Sequence, residues 1–110
     1  MNIEALKKTR DLLARSQTYD QSTWVHDGTE AHPCGTPACV AGHIMAAHSD
    51  GPLDPEVSTS GDAAALADLS SSERELMFQQ NPYRGTRNAT KDDALAMLDH
   101  AIEHQEVKWP

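Results

Sequence analysis

A chain with 15 alanines against only 17 residues of Leu, Ile, Val and Phe combined has few ways to close a core over 110 residues. Each alanine buries little area, and burial is the main favourable term of folding, so the core must be thin and its elements must approach closely. Alanine-rich sequence poor in β-branched residues favours closely packed helices over strands. The same scarcity, joined to a net charge of −8, also falls in the range of disordered chains. What argues for a fold is local agreement: helix caps, apolar periodicity and chain breakers all point to the same elements. The length fits one domain, 1–110, and excludes most large catalytic scaffolds.

Ile3, Ala5, Leu6, Thr9, Leu12, Leu13 and Ser16 share one face at helical spacing, which predicts a first helix over about residues 3–16. The polar stretch from Gln17 to Gly35 carries Tyr19 and Trp24 and is expected to be irregular, with one short strand near Thr23–His26. Thr36-Pro37 reads as a helix start, with Thr36 as cap and Pro37 in the first turn, and the helix is expected to run to about His48. Pro52 to Gly61 reads as a loop, Asp62 to Leu69 as a short helix, and Ser70 to Glu73 as a capping box opening the next helix. Leu69, Leu76, Met77 and Phe78 are expected to supply its buried contacts. Asn81-Pro82 ends it, and Tyr83 to Asn88 forms a loop carrying Arg84 and Arg87. Thr90 caps a last helix whose apolar face is Ala94, Leu95, Leu98, Ala101 and Ile102, with Met97 at its edge. The fold class is therefore mainly α: a single-domain bundle of four to five short helices with a long ordered loop.

The stretch Ser22 to His43, STWVHDGTEAHPCGTPACVAGH, resembles a family of small bacterial and phage proteins in which a Trp-containing loop precedes CGTxxCxAG on a helix. The similarity extends through Ala64 to Leu69, Leu76 to Phe78, Thr90 to Ala94 and Val107 to Trp109, which is most of the chain. The resemblance implies a fold and a bacterial or phage context, and it implies no activity. Its fairly specific pieces are Cys34-Gly35-Thr36 and Cys39-Val40-Ala41-Gly42; the candidate binding or structural motif is Trp24, Cys34, Gly35, Thr36, Cys39, Gly42 and His43, and the family varies between His and Trp at His43, which argues against a metal role there.

Cys34, Cys39 and His43 are spaced C-x4-C-x3-H, and zinc takes three or four nitrogen and sulfur ligands. His26, His32 or His48 could complete a set, so a small zinc protein using Cys34, Cys39, His43 and His32 is the alternative reading. The preferred reading is structural, because zinc motifs more often use C-x2-C knuckles and no second pair exists. A Cys34–Cys39 disulfide is sterically conceivable, yet a reducing compartment disfavours it. A thiol enzyme is the third reading: Cys39 near a helix start would have a lowered pKa with His43 one turn away, but no third member or oxyanion site is evident. His100 and His104 form an i, i+4 pair able to hold a divalent metal, but they fall outside the apolar face and solvation is the preferred reading. Arg84, Arg87 and Lys91 make a small basic loop best read as hydrated or paired.

The expected function is that of a non-catalytic accessory or protein-interaction protein, phage-associated and acting on a host protein, with no cofactor. No apolar run nears the ~20 residues of a membrane span, and the N-terminus lacks a signal-peptide stretch, so a cytoplasmic location is expected. The excess of 17 acidic over 9 basic residues disfavours direct nucleic-acid binding. Residues 51–110 hold 11 acids against 5 bases, which would steer a basic partner, although solubility alone is the preferred explanation of the charge. The chain is expected to be a monomer, or a homodimer paired through its last helix. Within the Cys34–His43 segment, Cys39→Ser is expected to cost roughly 1–3 kcal/mol and His43→Ala less.

Overall fold

A computed structural model describes residues 1–21, 25–26, 36–48, 60–78 and 88–110. Among them the chain forms five helices and one two-stranded ladder: α1 (Ile3–Arg15), β1 (Val25–His26), β2 (Thr36–Pro37), α2 (Val40–Ala47), α3 (Ser60–Leu66), α4 (Ser71–Phe78) and α5 (Lys91–His104). It is a small, mainly α structure.

The centre is α2. Its residues Val40, Ala41, Gly42, His43 and Ile44 are all buried, as expected of a helix that is apolar around most of its circumference. It packs against α1, α3 and α4, while α1 also packs along α5. Leu6 and Leu13 of α1, Met77 of α4, and Met97 and Leu98 of α5 close the core with Ala41, Ala63, Ala67, Ala94 and Ala101 between them. Alanines thus sit where helices approach, and a few large side chains fill the gaps. Thr9 is fully buried on this face, and its hydroxyl donates to the Ala5 carbonyl at 2.8 Å, so no polar group is orphaned there.

Most helix ends follow from local residues. Asn2 caps α1 by accepting from the Ala5 amide at 3.1 Å, and its own amides donate to the Ala67 and Leu66 carbonyls, so one residue closes two helix ends. The end of α3 is a Schellman turn: Leu69 donates to Ala64, Asp68 donates to Ala65, and Asp68 itself adopts the left-handed conformation at φ 51°. The expected capping box at Ser70 and Glu73 is present, with bonds of 2.8 and 3.2 Å. Thr90 and Asp93 form a second one at α5. Gln105 ends α5 in the left-handed region at φ 53°, after which Val107 is buried and the Trp109 indole donates to the Leu76 carbonyl at 2.8 Å. Between helices, Arg10 makes a two-pronged contact with Asp99 at 2.9 and 3.4 Å. That contact raises the Arg10 pKa, through the hydrogen bond first and the charge second.

Four expectations need correction. Thr36-Pro37 does not start α2 but lies in β2, paired with Val25 and His26, because the Pro37 and Ala38 carbonyls accept from the Thr18 hydroxyl and the Asp20 amide and hold this stretch extended. The helix begins three residues later, with Cys39 at its N-cap. Leu76 is 46% exposed, since three successive residues of a helix span some 200°: Met77 is fully buried and Phe78 packs partly against the core, which leaves Leu76 outside. Met97 is fully buried rather than at an edge, because α1 packs along this side of α5. Finally, α3 starts at Ser60, two residues before Asp62.

Candidate functional site

The residues singled out by their chemistry converge where the C-terminus of α1, the segment 16–21, β2 and the N-terminus of α2 meet. At the middle is His43, fully buried. Its Nδ1 lies 2.9 Å from the Cys39 carbonyl and its Nε2 lies 2.8 Å from the Ser16 hydroxyl. A carbonyl only accepts, so Nδ1 carries the proton, and the neutral ring accepts the Ser16 O–H at Nε2. The Tyr19 ring packs at 6.2 Å from the imidazole, tilted by 52°.

Ser16 is the C-cap of α1 and serves several neighbours at once. Its hydroxyl oxygen accepts from the Thr18 amide at 3.2 Å, and its carbonyl accepts from the Lys91 ammonium at 2.8 Å. Thr18 in turn donates to the Pro37 carbonyl at 2.7 Å. Three helices and β2 are therefore joined through one small polar cluster.

Cys39 stands at the N-cap of α2 with no side-chain capping hydrogen bond, and it is buried. Burial pushes the thiol pKa up from its ordinary value; the backbone amides of Gly42 and Ala41 oppose this, and the Asp20 carboxylate adds to it. The activation expected from a helix N-terminus is therefore outweighed by desolvation, and the group is a protonated thiol near neutral pH. The native thiol holds its proton to higher pH than the unfolded one, so its contribution to stability is full below the ordinary thiol pKa, about 8.5, and falls as pH rises from there through the native value. In a Cys34→Ser background, Cys39 is expected to react with a thiol reagent at pH 8 at least about tenfold more slowly than in the urea-unfolded chain. Equal rates would contradict the buried thiol.

The amide end of α2 is satisfied by a residue that sequence patterning passed over. Gln21 is 2% exposed; its Oε1 accepts from the Val40 amide at 3.2 Å and from the Tyr19 hydroxyl at 3.1 Å, and its Nε2 donates to the Met77 carbonyl at 3.2 Å. Gln21 therefore does what Thr36 was expected to do. The available hint was that a glutamine in a polar segment followed a tyrosine by two residues, which specifies nothing by itself.

The structure brings together Cys39, Gly42 and His43 of the expected set, with Thr36 nearby in β2. Trp24, His32, Cys34, Gly35, Arg84 and Arg87 lie outside the described residues. His48 donates from Nδ1 to the Ile44 carbonyl at the far end of α2, nine residues from Cys39 and roughly 13 Å along the axis, too far to share a metal with it. For His43 to bind zinc, one of its two ring hydrogen bonds would have to be given up. Among the described residues no group of three or more His, Cys, Asp or Glu is arranged to hold a metal ion. Ser16 and His43 do have the spacing of a nucleophile and its base. The Ser16 oxygen, however, already accepts the Thr18 amide, and a fully buried ring would gain its proton without solvent to stabilise the charge.

The sequence matches no known family, and no curated protein or solved structure matches it. The CGTxxCxAG resemblance accordingly rests on its motif residues alone. Fold and site together define a small all-α structure whose histidine and serine lock its helices.

Proposed function

We propose that the protein is a non-catalytic accessory protein that works by binding another protein, in the bacterial or phage setting implied by the resemblance, with a host protein as its partner. The reading is supported by a contrast in how side chains are used. Inside, Ser16, Cys39 and His43 are committed to one another and to backbone groups. Outside, α4 presents Leu76 at 46% exposure on one side, and on another side Ser71, Arg74, Glu75 and Phe78 line an open groove of about 410 Å³. Exposed large apolar side chains rimmed by polar ones are common at protein-binding surfaces. No described helix is long and apolar enough to cross a membrane; the reading sets the protein's action in the cytoplasm. The reading needs no cofactor and no direct contact with nucleic acid, and a monomer or a homodimer can serve it.

The test places a photo-cross-linking residue at Leu76 and, as control, at Lys7 in α1. One host protein is expected to cross-link from position 76, to compete with unlabelled wild type and to ignore a Leu76→Glu competitor. With a net charge of −8, association is expected to weaken about tenfold or more between 50 and 500 mM salt. Salt-independent binding would refute the steering by charge. Labelling of Ser16 by a fluorophosphonate, lost in His43→Ala, would overturn the non-catalytic reading.

A further inference from the structure

We propose that the C-terminal turn of α5 is a binding site for a late first-row divalent cation, copper(II) or nickel(II), with His100 and His104 as imidazole ligands and Glu106 supplying a carboxylate. The inference is independent of the protein-binding role.

Three observations converge on it. The two rings lie one above the other on the helix, their centroids 4.6 Å apart and their planes tilted by 44°. Two imidazoles on one ion, at about 2.1 Å per nitrogen and with a right angle at the metal, hold their centroids roughly 4.6 Å apart. A tetrahedral ion would spread them further, so the spacing suits neighbouring positions of a square-planar or octahedral site. Second, the Nε2 of His100 is buried and has no hydrogen-bond partner. A buried nitrogen with an unused lone pair is the kind of group that an ion explains. Third, the left-handed Gln105 turns the chain back over the helix end and brings the Glu106 carboxylate to 3.6 Å from that nitrogen. That separation is about 0.7 Å longer than the roughly 2.9 Å that two neighbouring ligands of one ion keep at a right angle, so the carboxylate has a short way to move. Glu103 adds a further carboxylate oxygen 3.9 Å from the His104 Nε2.

The groups are not already gathered about one point. The ion would seat on the paired rings and draw in Glu106, whose side chain is two-thirds exposed. Imidazole donors suit copper and nickel, and the neighbouring acids favour a cation over an anion. Because Val107 is buried and Trp109 is bonded to the Leu76 carbonyl, an ion here would pin the chain after α5 to both α5 and α4.

The test is titration of the metal-free, untagged full chain with copper(II) and nickel(II), read by calorimetry and by the nitrogen couplings of the copper electron paramagnetic resonance spectrum. Wild type is expected to show two coordinated nitrogens and a rise in melting temperature with metal. His104→Ala, which removes a half-exposed ring, is expected to lower first-site affinity at least about tenfold, to leave one nitrogen and to abolish the thermal shift; Glu106→Gln is expected to cost roughly two- to fivefold. His48→Ala is expected to change nothing and so separates this site from the other end of α2. Copper and nickel affinities in His104→Ala equal to wild type, or an unchanged nitrogen count, would overturn the proposal.

Discussion

Gln21→Ala is expected to destabilise the protein by about 3 kcal/mol. The side chain is almost completely buried, and it joins the segment 16–21, the first turn of α2 and the last turn of α4. Removing it strips a partner from the Val40 amide, which belongs to a helix N-terminus and has no carbonyl of its own helix to bond. It also strips a partner from the Met77 carbonyl, buried beneath a fully buried side chain. Each such loss carries roughly 1–3 kcal/mol, and water entering the space left by the amide offsets part of the sum. For a domain of this size the melting temperature should fall by about 10–20 °C. Thermal or urea unfolding followed by circular dichroism measures it. Gln21→Met retains the volume without the hydrogen bonds and is expected to lose most of the same stability. Near-neutral behaviour of Gln21→Met would mean that Gln21 only fills space.

Why that residue escaped a reading of the sequence, while others did not, has a physical basis. Ser70 with Glu73, and Thr90, act on amides within three residues of themselves, so their roles are written in local spacing. The apolar faces of α1 and α5 were legible for the same reason, since a period of 3.6 residues is a local property. Gln21 instead acts 19 residues away on Val40 and 56 away on Met77. Thr36-Pro37 shows the converse failure. It carries a sound local signal for a helix start, and tertiary bonds from Thr18 and Asp20 to the next two carbonyls override it. At Leu76, Met77 and Phe78 the local signal was three apolar residues in a row, and periodicity could not decide which one would be inside.

The same distinction reverses the expected ranking within the Cys39–His43 pair. His43→Ala is expected to cost about 3–4 kcal/mol, and Cys39→Ser within about 1 kcal/mol of zero. His43 is fully buried in the central helix; truncating it opens a cavity among α1, α2 and Tyr19 and removes the acceptor of the Ser16 hydroxyl. With that acceptor gone, the clamp that sets the end of α1 against α2 loses its only ring. His43→Phe would fill the volume but leave the Ser16 hydroxyl and the Cys39 carbonyl facing an apolar ring, so it is expected to recover less than half of the loss. Cys39 differs because of where it stands. It occupies the N-cap of α2 with extended backbone (φ −76°, ψ 177°), and its side chain already faces the amides of Ala41 and Gly42. A serine hydroxyl there is a better acceptor than a thiol and is the residue type that helix N-termini prefer, so the capping bond it gains offsets the desolvation of a hydroxyl. The two variants are to be compared by urea unfolding at pH 7, where the thiol is protonated in both states and ionisation does not enter. A loss from Cys39→Ser larger than that from His43→Ala would show that the cysteine, and not the histidine, holds this junction together.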